Sequence, residues 1–272
     1  MQMSDLSVGS LVHFNVSGEQ TAFRVMHHGK PSDLYNDSWE GGTVLMLDWP
    51  ETMVNRSMVS FTTKKNYADS SMHTWLNETW LGYLDDAVAE KVMEVKLPYR
   101  TDTDKSPYEV ATGGSGVAAK IWLPSAIEVA RGSAYLTDQS TFYVEEGAVF
   151  DYWKGAAAAQ YADWAYLDED GTDVGWATRT QNQHYTGSGL MYFNQVGQDG
   201  LCIAGTKQKV MARPCLVLPG ETVVDGVNIV AAGCFPVKAE GVWCDGRASV
   251  KRGGVWCEAS LAGARVDGVW KQ

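Results

Sequence analysis

Cationic side chains are scarce in this chain: Lys and Arg number 22 against 33 Asp and Glu, a formal net charge of -11 at pH 7. A protein so acidic offers no basic surface to neutralise phosphates, which excludes nucleic acid as a partner. Long apolar runs are missing too. No stretch approaches the eighteen or so consecutive apolar residues of a membrane-spanning helix, so no membrane insertion is expected. The start, Met1-Gln2-Met3-Ser4-Asp5, has no cationic end followed by an apolar run, and the expectation is a protein made in the cytoplasm without a secretory leader.

Cysteine is absent from the first two thirds. All five lie at Cys202, Cys215, Cys234, Cys244 and Cys257, an odd number that points to reduced thiols rather than a disulfide set. There is no C-x-x-C pair and no His beyond His184, so structural zinc is not expected. His27 and His28 are adjacent; on a strand they face opposite ways and cannot easily share an ion. Asp168-Glu169-Asp170-Gly171-Thr172-Asp173 lacks the spacing and terminal Glu of a calcium loop and reads as a solvated turn. His73 sits in a helical stretch with no second site-like group at i+4, and a structural role is expected. No pair among the scattered acids stands out as a glycosidase dyad. No metal and no cofactor are expected, and the reading is non-enzymatic.

What is abundant is aromatic and glycine content: eleven Trp, twelve Tyr and 28 Gly. Such a chain is compact and loop-rich, with broad aromatic surfaces that are buried or adhesive. Short apolar runs at Leu11–Phe14, Ala22–Met26 and Val44–Leu47, each bounded by turn residues, predict strands of an antiparallel sheet. Three-to-four spacing of Met72, Trp75, Leu76, Trp80 and Tyr83 predicts a helix from Ser70, capped by Asp69 or Ser70. Val88, Val92 and Val95 predict a second from Asp85 to Val95. Residues 101–116 read as a polar surface loop, 119–123 as a strand and 126–130 as a helical turn after Pro124-Ser125. Further strands are predicted at 175–179, 190–194 and 214–218, and Pro219-Gly220 closes the first domain, residues 1–220.

Residues 221–272 are a different text. Gly241-Val242-Trp243, Gly254-Val255-Trp256 and Gly268-Val269-Trp270 recur at intervals of thirteen and fourteen. The period predicts successive β-hairpins, each giving one tryptophan to a shared face. So small a unit seldom supports a core alone, so Trp243, Trp256 and Trp270 are candidates for attachment or oligomerisation.

Five collinear strings carry a resemblance: His27-His28-Gly29-Lys30-Pro31-Ser32-Asp33-Leu34-Tyr35; Asn66 to Asn77, like the run "NDYANS-x-I-H-x-Y-L-N"; Val95-Lys96-Leu97-Pro98-Tyr99-Arg100; Lys120-Ile121-Trp122-Leu123-Pro124-Ser125; and Ala212-Arg213-Pro214-Cys215-Leu216-Val217-Leu218-Pro219. Residues 8–219 thus resemble a poorly characterised domain family of phages and gut Firmicutes, itself similar to C-type lectins and formylglycine-generating enzymes. The family's "W-W-L-R-S-P" segment is here Gly175-Trp176-Ala177-Thr178-Arg179-Thr180, without the Ser-Pro. The tail resembles "V-K-V-G-G-V-W-K" segments of phage tail and fibre proteins.

The resemblance implies an α+β, C-type-lectin-like fold: a twisted antiparallel sheet with two helices and long loops, followed by a small all-β repeat module. It implies a ligand surface drawing on Trp176, Arg179, Gln181, Asn182, His184, Tyr185, Tyr192 and Asn194, a mixture of aromatics and amides suited to adaptable recognition. The alternative is that these aromatics are core or subunit contacts, and that Arg179 and Arg213, set among apolar neighbours, pair with buried carboxylates or carbonyls. Cys202 and Cys215 are the only counterparts of the paired cysteines of the oxidase relatives, and Cys215 lies in an apolar run. The function expected is a homo-oligomeric bacteriophage virion protein, a tail-fibre, tail-tip or head-decoration subunit. Its partners would be other virion proteins and a host-surface glycan or protein. The alternatives are a purely structural virion protein or, less favoured, an oxidase or glycan-cleaving enzyme.

Overall fold

A computed structural model describes residues 1–48, 66–101, 109–129, 146–154, 176–182, 192–197, 200–205, 211–225, 228–229, 234–239, 242–247, 249–252, 255–258, 264–266 and 269–271. Strands β1 (Leu11–Val16), β2 (Glu19–His28) and β3 (Gly42–Leu47) precede helices α1 (Ser71–Glu78) and α2 (Asp86–Ala89). Short strands β4 (Val95–Leu97), β5 (Tyr99–Arg100), β6 (Val110–Ala111), β7 (Val117–Ala119) and β8 (Ile121–Trp122) lead to helix α3 (Asp151–Lys154). Then come β9 (Trp176–Asn182), β10 (Tyr192–Gly197), β11 (Gly200–Gly205), β12 (Met211–Ala212), β13 (Cys215–Pro219), β14 (Val224–Asp225) and β15 (Asn228–Ile229).

The main sheet runs β14-β15-β1-β2-β3-β13-β8 and a second runs β11-β10-β9-β12. Pairing is antiparallel apart from β1 with β15 and β9 with β12, so the class is α+β with mixed helices and antiparallel sheets. The chain turns from β1 into β2 over Ser17-Gly18, with φ of 55° and 80°. Two positive φ values in a two-residue connection match the right-handed twist of the strands it joins. Strand β3 is buried at all six residues, as a central strand covered on both faces must be.

Among the described residues, five tryptophans contribute to the core. Trp39, Trp80, Trp122, Trp153 and Trp176 are all fully buried. Trp39 meets Tyr35 and Trp122 edge-on, at ring-centroid separations of 4.6 and 5.2 Å, and donates its indole N–H to Lys96 O at 2.9 Å.

Several expected elements differ. Helix α1 starts as anticipated, with the Ser70 hydroxyl accepting from His73 N, but stops at Glu78. Trp80–Tyr83 is a 3-10 turn. The expected helix from Asp85 to Val95 is one turn, because Met93 N is drawn to Val217 O and Val95–Leu97 pair with Val117–Ala119. Here β-branched side chains satisfy a sheet ladder rather than helix propensity. The loop expected over 101–116 includes β6 of the β5–β6 hairpin, and residues 126–129 form a turn rather than a helix.

The main sheet also passes the boundary expected at 220. Met3 N donates to Thr222 O and Val224 N to Met1 O, Thr222 and Val224 are buried, and Asn228 pairs with His13. Strands β14 and β15 therefore belong to the main sheet. A chain ending at Pro219 strips Val224 from the core, at about 1.5–3 kcal/mol for a buried valine. It is expected to melt several degrees below a chain ending at Gly233, as followed by circular dichroism. Equal melting temperatures would return the boundary to 220.

Candidate functional site

Beneath the stretch that leads to the candidate loop lies a buried ion pair. Strand β9 crosses the interior with Trp176, Ala177, Thr178, Arg179 and Thr180 all buried. The Arg179 guanidinium grips Glu128 with both ends, Nη1 to Oε2 at 2.6 Å and Nη2 to Oε1 at 2.7 Å. Its remaining donors reach main-chain carbonyls of Pro98 (3.3 Å), Leu123 (3.0 Å) and Glu146 (2.7 Å). All five N–H groups of the guanidinium are thus engaged.

The carboxylate is equally occupied. Glu128 Oε1 also accepts from the Tyr35 hydroxyl (2.6 Å) and Oε2 from Ser125 N (2.9 Å), while Glu128 N donates to Ser125 Oγ (3.1 Å). Ser125 and Glu128 make the reciprocal bonds of a capping box. The Tyr35 hydroxyl accepts in turn from Ala148 N. Gly147 has φ of 138°, and a Cβ there would collide with the Tyr35 hydroxyl.

Burial lowers the tendency of Arg179 to hold its proton, but the Glu128 carboxylate outweighs this and raises its pKa. Burial pushes the Tyr35 hydroxyl well above its usual range, with Glu128 reinforcing the shift. Glu146 is raised by burial, against the pull of Arg179 and of the Arg100 N–H that it accepts.

Two residues expected on the ligand surface are therefore interior. Arg179 is 0% exposed, and Trp176, at 1%, carries the Arg213 guanidinium 5.1 Å from its ring centroid. They lie under a surface rather than on it. Gln181 and Asn182 end β9, and Tyr192 and Asn194 lie on β10, where Tyr192 pairs with Asn182 and with Gly205 of β11. The register therefore brings Asn182 and Tyr192 directly opposite each other. His184 and Tyr185 fall outside the described residues, as does the acidic run 168–173.

Arg213 donates to Leu47 O at 3.1 Å and lies 3.9 Å from Asp48, which pairs with Arg24 at 2.9 Å. His27 is buried with its Nδ1 2.9 Å from Asp151 Oδ2, while His28 bonds Thr43 Oγ1 and Leu6 O. Among the described residues no three His, Cys, Asp or Glu groups gather as metal ligands. Cys215 is a buried free thiol in β13, its pKa pushed well up by burial, and Cys202 lies on β11 in the other sheet.

The residue of this cluster not singled out in the sequence is Glu128. Its signal was present as Ser125-Ala126-Ile127-Glu128, the capping-box pattern. In the tail, β16 (Cys234–Ala239) pairs with β17 (Val242–Arg247), β18 (Ser249–Arg252) with β19 (Val255–Glu258), and β20 (Ala264–Val266) with β21 (Val269–Lys271). Trp243, Trp256 and Trp270 each lie on the second strand of a hairpin.

Removing one partner of a buried pair strands the other charge. Glu128→Leu is expected to cost about 3–5 kcal/mol in urea unfolding. Glu128→Leu/Arg179→Met together should cost less than the sum of the two single variants; strict additivity would mean that the pair is not coupled. His73 gives a pH dependence. Burial lowers its pKa from 6.5, so the unfolded chain takes up a proton that the folded chain resists. Its contribution to stability is full above about pH 6.5 and falls as the pH drops below that value. His73→Gln should flatten the decline of melting temperature between pH 7 and 5, and an unchanged slope would remove His73 as a source.

No curated protein and no solved structure matches the chain. A family model described as a domain of unknown function, DUF6273, matches residues 41–220. The match begins just before β3 and ends just after β13, so β1, β2, β14 and β15 of the same sheet lie outside it. Because it covers most of the sequence, the chain belongs to the DUF6273 family of domains of unknown function.

Proposed function

We propose that the chain is a non-catalytic bacteriophage virion protein, a tail-fibre, tail-tip or head-decoration subunit. In this reading a C-type-lectin-like domain presents the 181–194 stretch to the host surface, and the hairpin tail serves attachment or oligomerisation. One observation supports it most: the stretch springs from a strand whose preceding five residues are all buried and whose Arg179 is held by five hydrogen bonds. Recognition segments that vary in sequence work best on a scaffold that does not move with them. The sequence after the pedestal, Gln181-Asn182-Gln183-His184-Tyr185, supplies aromatic area and adaptable amides. The five strings and the Gly-Val-Trp repeats support the virion setting through their resemblance to phage sequences.

A second reading, a virion protein with a purely structural role, is favoured by the interior position of Trp176 and Arg179, which leaves fewer side chains for a receptor. The two part on one experiment. Fluorescent full-length protein is incubated with intact Firmicute cells and with a glycan array, beside the variant Gln181→Ala/Asn182→Ala/His184→Ala/Tyr185→Ala. Recognition through the loop is expected to give binding that falls at least tenfold in the variant with an unchanged melting temperature. Absent binding, or binding that the variant retains, favours the structural role.

A further inference from the structure

A bulge in β2 decides which way its last residues point. Phe23, Arg24 and Val25 stand against Leu47, Met46 and Leu45 of β3 in turn, but the next residue to take a partner is His27, against Val44, with Met26 as the extra residue. Side chains opposed across a ladder share a face, so the bulge moves His27 off the face of Phe23 and Val25 and onto that of Arg24. Helix α3 meets both of these residues. The Tyr152 ring centroid lies 5.2 Å from the Arg24 guanidinium, and Asp151 Oδ2 lies 2.9 Å from His27 Nδ1. Phe150 completes the contact, its ring stacked on the imidazole with 6.2 Å between centroids.

We infer that His27 and Asp151 form an acid-released latch that holds α3 on β2. A helix of four residues does not persist by itself, so the order of α3 comes from what it is docked on. Among the described residues, the polar groups facing the imidazole are Asp151 and Lys154 of α3 and the main chain of Lys30 beyond the strand; its ladder partner, Val44, is apolar. The Asp151 side chain is 44% exposed and is shared with Lys154 at 2.9 Å, whereas the His27 side chain is 8% exposed. A solvated, shared carboxylate is a weak counter-charge for a buried imidazolium. Burial lowers the pKa of His27 from 6.5, with Asp151 opposing the shift and Lys154 adding to it. Burial raises Asp151, but Lys154 and His27 outweigh this and keep its carboxyl below the usual range, so it stays ionised while His27 titrates. The docked state therefore binds the proton more weakly than the undocked one. Docking is at full strength above about pH 6.5 and weakens as the pH falls below that value. Release uncovers Phe150 and Trp153, which are 0% and 1% exposed when docked. The segment stays tied to the Arg179–Glu128 pair through Ala148 N and the Tyr35 hydroxyl.

The latch does not depend on what the 181–194 stretch binds. It is tested on the full chain carrying His73→Gln, so that the pH dependence expected from His73 is absent. Amide hydrogen exchange is followed by mass spectrometry at about pH 7.5 and about pH 5, on either side of the histidine range, with the intrinsic exchange rates divided out and binding of an apolar dye read in parallel. At the lower pH, protection at 150–154 is expected to fall about tenfold or more and the dye to bind, while β1 to β3 keep their protection. His27→Gln, which carries no titrating ring, should show the same protection at both pH values. Asp151→Asn, which withdraws the carboxylate that favours the imidazolium, should deepen the loss. Asp151 is half-exposed, so this variant reads the latch even where His27→Gln folds poorly. Unchanged protection at the lower pH, an equal fall in His27→Gln, a fall shared by β1 to β3, or an Asp151→Asn variant no more sensitive than its parent would overturn the inference.

Discussion

Everything near the candidate site hangs on the pairing of Arg179 with Glu128. One guanidinium ties together Pro98 at the end of β4, Leu123 after β8, the turn at Glu128 and the main chain at Glu146. Pro98 lies between β4 and β5, which pair with β7 and β6, and Leu123 follows β8, which pairs with β13. A buried pair is costly to form, and it persists only where every lone pair and proton is met. Here each of the five donors and both carboxylate oxygens has partners, so the charge behaves as a structural joint rather than a reactive group.

The joint explains details that look unrelated in the sequence. Gly147 is required because Tyr35 and Glu128 occupy the space where a side chain would go. Tyr35 stays protonated because burial and Glu128 both resist its ionisation, and it donates to the carboxylate while accepting from Ala148. The same residue packs edge-on against Trp39, so the polar joint and the tryptophan core are continuous. This continuity anchors β9 through Arg179, and β9 carries the chain to Gln181 and Asn182.

Much of this was legible beforehand. The runs at Leu11, Ala22 and Val44 became β1 to β3 because turn residues bracket each apolar run, and Ser70 capped α1 as its side-chain chemistry dictates. The Gly-Val-Trp period became three hairpins, since paired strands need just such a spacing. The sequence alone could not place long-range partners. Val92 and Val95 sit at helical spacing, and only the availability of Val117–Ala119 turns Val95 into a strand residue. An arginine among apolar neighbours announces a buried carboxylate without naming it, and the choice of Glu128 among 33 acids depends on chain topology.

The measurement that tests the joint most directly is amide hydrogen exchange by mass spectrometry on the wild-type chain and on Glu128→Gln. If the pair holds the four segments as one unit, protection falls together at 98–101, 121–129, 146–150 and 176–182 while β1 to β3 keep theirs. Loss confined to 125–129 would contradict the account, and β9 would then stand on packing alone.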